Sequence, residues 1–155
     1  MKIYIFDIDD TLVTHKKGHV NYDSMVPDII FIEFIRKLDS MIYIYTNATE
    51  SHAIEVINRI GIKKYVRKIF ARDTIPFMKP DIFSLKHVEY EIMKDTNSMN
   101  NEYIFFDDAK ENLKTAHNYN WKTVWIHPNF IHKESYMDYS YPNINQALLV
   151  ICLEK

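Results

Sequence analysis

The chain opens on five β-prone residues, Lys2-Ile3-Tyr4-Ile5-Phe6, that run straight into a group of carboxylates, Asp7-Ile8-Asp9-Asp10. Apolar side chains fall on both faces of this short run, the pattern of a strand buried in a parallel sheet. Similar runs recur at 41–45, more weakly at 66–71, and again at 103–106 and 122–126. Between them the apolar positions switch to helical spacing. Pro27 opens a predicted helix over 28–38, and Ala53, Ile54, Val56, Ile57 and Ile60 form the stripe of a second, with Gly61 where a left-handed cap belongs. A third helix carries Ile82, Leu85, Val88 and Ile92, a fourth spans 109–118, and the last contains Ala147, Leu148 and Val150. Strands alternating with helices predict an α/β fold: a doubly wound, Rossmann-like, parallel sheet of five strands with helices on both faces. The whole chain, 1–155, is expected to form one domain.

Two stretches fall outside this alternation. Residues 12–26 read as a flap, with Gly18 flanked by His15 and His19 and followed by Tyr22. These side chains could reach a substrate, although solvation is the default for flap residues. Residues 127–143 form a long loop with Tyr136, Tyr139 and Tyr141, either functional or packed back on the domain. The helix over 28–38 is apolar around most of its circumference, so it is expected to be deeply buried or to contact a second copy of the chain.

Composition narrows the picture. Hydrophobic residues make up 47% of the 155 and charged residues 26%, ordinary for a soluble globular protein. A net charge of −2 provides no electrostatic footprint for nucleic acid or an anionic membrane. The single cysteine, Cys152, is expected in the core of the last helix, and with no leader or membrane span expected a cytoplasmic setting is the expectation. Two glycines, Gly18 and Gly61, are too few for a glycine-rich nucleotide loop.

Candidate chemistry collects at strand ends. The first strand ends in Asp7 and Asp9, with Thr11 just beyond; the second ends in Thr46 and Asn47; the fourth ends in Asp107 and Asp108; Lys79 precedes the third helix. In a parallel sheet these ends share one edge, where open α/β folds bind ligands. Carboxylates from two strands make a hard oxygen site suited to Mg²⁺. A hydroxyl, helix N-terminal N–H groups and a lysine supply what a phosphoryl group needs. Each piece also has a plainer explanation. Asp108 and Glu111 match a capping box, Thr46, Asn47 and Thr49 could cap a helix, and a lysine before proline is commonly solvated.

The sequence resembles the haloacid dehalogenase superfamily through Asp7-Ile8-Asp9-Asp10-Thr11-Leu12, the strand ending at Thr46, Lys79-Pro80, and Phe105-Phe106-Asp107-Asp108-x-x-x-Asn112. The wording Tyr45-Thr46-Asn47-Ala48 and Tyr141-Pro142-Asn143-Ile144 is most similar to the pyrimidine 5′-nucleotidase branch. The resemblance implies a Mg²⁺-dependent phosphatase acting on a phosphorylated substrate. Asp7 would be the nucleophile and Asp9 the general acid and base. Thr46, Asn47 and Lys79 would bind phosphate. Asp7, Asp108 and the Asp9 carbonyl would hold the metal, with Asp107, Thr11 and Asn112 behind them. The second carboxylate, Asp9, separates the chain from the family's dehalogenases, which lack it.

One departure matters. The nucleotidase branch carries a sizeable helical cap between the first and second motifs, whereas here only about 28 residues separate Val13 from Met41. An open crevice is therefore expected. It suits a bulky substrate such as a phosphoprotein or a nucleic-acid 3′-phosphate, or needs a neighbouring subunit to complete it, whereas the nucleotidase resemblance implies a nucleoside monophosphate. The first motif also resembles that of capless phosphatases acting on phosphoserine. A phosphorylatable receiver-like signalling module is the competing class, since receivers also gather acids, a threonine and a lysine at strand ends.

Overall fold

The computed structural model describes residues 1–16 and 19–154; Gly18 of the expected flap lies outside the described residues. Among the described residues six parallel strands form one sheet: β1 (Lys2–Phe6), β2 (Met41–Tyr45), β3 (Val66–Phe70), β4 (Glu102–Asp107), β5 (Lys122–Ile126) and β6 (Tyr139–Tyr141). Their order is β3-β2-β1-β4-β5-β6. The sheet thus has one strand more than the five expected. Three residues of the 127–143 loop pair in parallel with β5, Val124 opposite Tyr139 and Ile126 opposite Tyr141. Asp138 steers this return by accepting the Thr123 N–H at 2.8 Å.

Side-chain alternation along each strand sorts the core into two layers. Tyr4, Phe6, Ile42, Ile44 and Phe106 face α1 (Ile29–Leu38), α2 (Glu50–Arg59) and α5 (Ile144–Leu153). Ile3, Ile5, Tyr43, Tyr45 and Phe105 face α3 (Ile82–Thr96) and α4 (Lys110–Asn118). Helices therefore cover both faces, which is why the strands are apolar on both. Among the described residues no helix is long and apolar enough to cross a membrane.

Helix ends follow local chemistry. Asp28 caps α1, its carboxylate accepting the N–H groups of Ile30 and Phe31, so Pro27 precedes the cap instead of opening the first turn. Thr49 caps α2 through the His52 N–H. Within α1, Phe31, Ile35 and Leu38 are buried while Ile29 and Ile30 are exposed at its N-terminus. Cys152 is half-buried, its thiol near the Phe34 carbonyl.

Strand order positions the site. The chain winds outward from β1 through β2 and β3, then returns to the other side of β1 as β4. Ligands bind outside the strand ends where such a sheet reverses direction. The β1–β4 register pairs Phe6 with Phe106, which sets Asp7 beside Asp107 at this reversal.

Gly61, just after α2, has φ +85°, and an added Cβ would lie 2.8 Å from Ile32 Cδ1. Gly61→Ala is expected to lower stability by roughly 1–2 kcal/mol, mainly through the left-handed backbone; urea unfolding followed by circular dichroism measures it.

Candidate active site

The site begins with the turn after β1. Thr11, Leu12 and Val13 all direct their N–H groups back to the Ile8 carbonyl, at 3.1, 2.8 and 3.3 Å. Asp10 takes a left-handed conformation, φ 61°, one that aspartate tolerates better than most residues. The chain doubles back, and the Thr11 hydroxyl arrives 3.2 Å from both Asp7 Oδ2 and Asp108 Oδ1. Asp7, Asp107 and Asp108 each offer a carboxylate oxygen within 4.8 Å of the others.

Lys79 is held at the centre. Its side chain is 1% exposed, and its ammonium donates to Asp107 Oδ2 at 2.8 Å, the Tyr45 carbonyl at 2.9 Å and Asp7 Oδ1 at 3.0 Å. Three donors meet three acceptors, so the buried cation is satisfied. Below it lie the rings of Tyr45 and Phe105, with centroids 5.0 and 5.4 Å from Nζ. Asn47 positions the lysine backbone: its amide donates to the Lys79 carbonyl and accepts the Lys79 N–H, both at 3.0 Å.

Asp107 is fully buried and fully engaged, accepting from Lys79, from Asn112 Nδ2 at 3.0 Å and from the Ala109 N–H at 2.8 Å. The capping-box alternative for Asp108 and Glu111 is not realised. Ala109 occupies the cap position of α4, and Asp108 turns toward Thr11. Thr46 is buried, its hydroxyl accepting from the Ala48 N–H at 3.0 Å, which leaves its hydrogen free to donate.

Burial dominates the electrostatics. It pushes Asp7 up to about 6 against the pull of Lys79, and pushes Asp108 up to about 6 with help from the Asp107 charge. Burial pulls Lys79 down, but Asp107 and Asp7 outweigh it, and the amine stays protonated well above its ordinary value.

Asp9 stands apart, on the solvent side of the turn. Its Oδ1 is 2.5 Å from His15 Nε2 and 2.9 Å from His52 Nε2. His15 comes from the expected flap, but His52, in the first turn of α2, has no signal in the sequence beyond being a histidine after a strand end. Tyr22 packs on His52, and His19 is exposed. The loop tyrosines pack on the domain: Tyr136 and Tyr141 lie against the two core layers, and Tyr139 is in β6.

Replacing Lys79 with methionine strands two buried carboxylates. Lys79→Met is expected to destabilise the protein at neutral pH by roughly 3–5 kcal/mol, the usual penalty for breaking a buried pair, as read by chemical denaturation.

Comparison with known proteins bears on the fold and the family. No curated protein matches the sequence. An uncharacterised protein from Listeria monocytogenes serotype 4b superposes with a TM-score of 0.68 at 16% identity, covering 100% of both chains. L-2-haloacid dehalogenase from Xanthobacter autotrophicus gives 0.63 at 12% identity over 84% of this chain, which spans only 62% of that enzyme's length. The magnesium-bound structure of YfnB from Bacillus subtilis gives 0.64 at 17% identity, covering 77% of this chain and 53% of that one. At such identities the likeness is one of fold. A family model described as haloacid dehalogenase-like hydrolase matches residues 14–126, and the chain belongs to that family.

Proposed function

We propose that this chain is a Mg²⁺-dependent phosphoric monoester hydrolase that works through an aspartyl-phosphate on Asp7. The observation that carries this is the sharing of one hydroxyl by two acids. Thr11 Oγ1 lies 3.2 Å from a carboxylate oxygen of Asp7 and of Asp108, and its one hydrogen cannot serve both. A hard cation between them meets that deficit, and an all-oxygen set of donors suits Mg²⁺. Asp7, Asp108 and the Asp9 carbonyl would hold it, while Asp107, already saturated, would act from behind. When bound, Mg²⁺ would neutralise charge on the phosphoryl oxygens.

The protein's own groups account for the rest. The Asp7 carboxylate attacks phosphorus; as its O–P bond forms, the bond to the leaving oxygen breaks. That oxygen keeps the electron pair and takes a proton from Asp9. Water then attacks phosphorus and gives its proton to Asp9, and the Asp7 O–P bond breaks to release inorganic phosphate. Thr46 donates its hydroxyl to a phosphoryl oxygen, and Lys79 keeps the nucleophile oriented and offsets its charge. Asn47 contributes its backbone N–H to the phosphate, its side chain being committed to Lys79. Asp9 favours this chemistry over dehalogenation, which needs no second carboxylate. With no large insertion over the crevice among the described residues, the candidate substrates are a nucleoside monophosphate and the phosphorylated end of a macromolecule. A panel of nucleotides, phosphopeptides and 3′-phosphorylated DNA separates them.

Purified protein should hydrolyse p-nitrophenyl phosphate only with Mg²⁺, and Asp7→Asn should lower kcat by about a thousandfold or more while the fold persists. Full activity in Asp7→Asn would remove the nucleophile. A second outcome follows from the acids at about 6. Their folded-state values lie above 3.8, so without metal their contribution to stability is present at low pH and lost as pH rises through about 6. Mg²⁺ binds the ionised pair, so the rise in melting temperature it produces should grow between about pH 5 and about pH 7.5. Differential scanning fluorimetry with and without Mg²⁺ checks the trend.

A further inference from the structure

Four side chains from three parts of the chain meet outside the metal-binding acids. His15 Nε2 and His52 Nε2 both converge on a single oxygen, Asp9 Oδ1, at 2.5 and 2.9 Å. The histidine side chains are only 10% and 13% exposed, and that of Asp9 is 35% exposed. On the far side of His52, Nδ1 lies 2.7 Å from the Tyr22 hydroxyl. Tyr22 is itself anchored by Arg59, which donates to its carbonyl at 3.0 Å and lies 5.7 Å from its ring centroid. These are the contacts of a built assembly, running from the end of α2 through the flap to the turn after β1.

The distances say what kind of assembly it is. The His52 contact at 2.9 Å has an ordinary hydrogen-bond length, and the His15 contact at 2.5 Å is a short one. For both histidines to donate to Asp9, each must carry its hydrogen on Nε2. In that form His52 Nδ1 keeps a lone pair, and the Tyr22 hydroxyl is then the donor to it.

We infer that His15 and His52 are positioning residues that clamp Asp9 Oδ1 and leave Oδ2 as the oxygen that exchanges the proton. Two N–H groups saturate Oδ1 in its carbonyl role, so in the acid form the proton belongs on Oδ2. From Oδ2 it passes to the leaving oxygen as the bond to phosphorus breaks, and water later returns one to the same atom. The two histidines would thereby fix the direction of the Asp9 carboxylate from one side. The inference rests on the phosphatase reading and deepens it, since it makes hydrolysis of esters with poor leaving groups depend on the flap.

The test uses leaving groups, because a proton donor matters most when the departing oxygen is basic. We would measure kcat/KM with Mg²⁺ for dinitrophenyl, p-nitrophenyl and phenyl phosphate and one alkyl phosphate, in the wild type, His15→Ala, His52→Ala and the glutamine variants. General acid–base groups contribute about 10²–10⁴-fold, so loss of one clamping donor should lower kcat/KM by about tenfold or more on the alkyl ester and about threefold on the dinitrophenyl ester. His52→Gln keeps an N–H donor and should recover part of the loss. A loss equal across the series, no loss, or glutamine no better than alanine at matched circular dichroism would overturn the clamp. If wild-type activity survives Asp7→Asn, the aspartyl-phosphate mechanism fails and takes the clamp with it; if no ester is hydrolysed with Mg²⁺, the phosphatase reading itself fails. A flat histidine profile in an enzyme silenced by Asp7→Asn removes the clamp alone.

Discussion

The structure depends on one buried ammonium group. Lys79 Nζ is bonded to Asp7, Asp107 and the Tyr45 carbonyl, and so joins the ends of β1, β4 and β2 through a residue that precedes α3. An ammonium this deep is tolerated because every hydrogen has an acceptor and two carboxylates supply counter-charge. The same bonds fix the Asp7 carboxylate. Around this contact a second tier prevents rotation: Asn47 clasps the lysine backbone, Asn112 holds Asp107, and the Ala109 N–H closes the last position on that acid. Stability and chemistry thus draw on the same few hydrogen bonds.

The sheet explains why those residues can meet. Parallel strands put all carboxyl ends on one edge, and the reversal between β1 and β4 opens the crevice there. Alternation sends Tyr45 and Phe105 to the α3 and α4 side, where their rings form the floor under Lys79. The result is asymmetric. Asp7, Asp107 and Lys79 are sealed in the interior, whereas Asp9 stands at the mouth, its partners drawn from the flap and from α2. The inner part of the site belongs to the sheet, and the part nearest solvent draws on the segment after β1 and on α2.

Much of this was legible in the residues. Runs apolar on both faces mark buried strands, and a helix between each pair forces parallel order, so Asp7, Thr46, Lys79 and Asp107–Asp108 could be assigned to one edge without coordinates. Other features were not. β6 is three residues long and polar at Ser140, too short and mixed to stand out from a loop. Asp108 and Glu111 spell a capping box, but spacing is blind to the competing bond from Asp107 to the Ala109 N–H. Asn112 offered no way to tell a surface amide from one buried against Asp107.

By itself, then, the order of residues determined the fold class and the edge on which the strand-end acids collect, because these follow from short-range periodicity and chain connectivity. Only the tertiary structure decided which hydrogen bonds those groups make. Lys79 had to be seen between two acids, and His52 beside Asp9 43 residues earlier in the chain. Such pairings depend on distances across the folded molecule, to which sequence spacing bears no fixed relation.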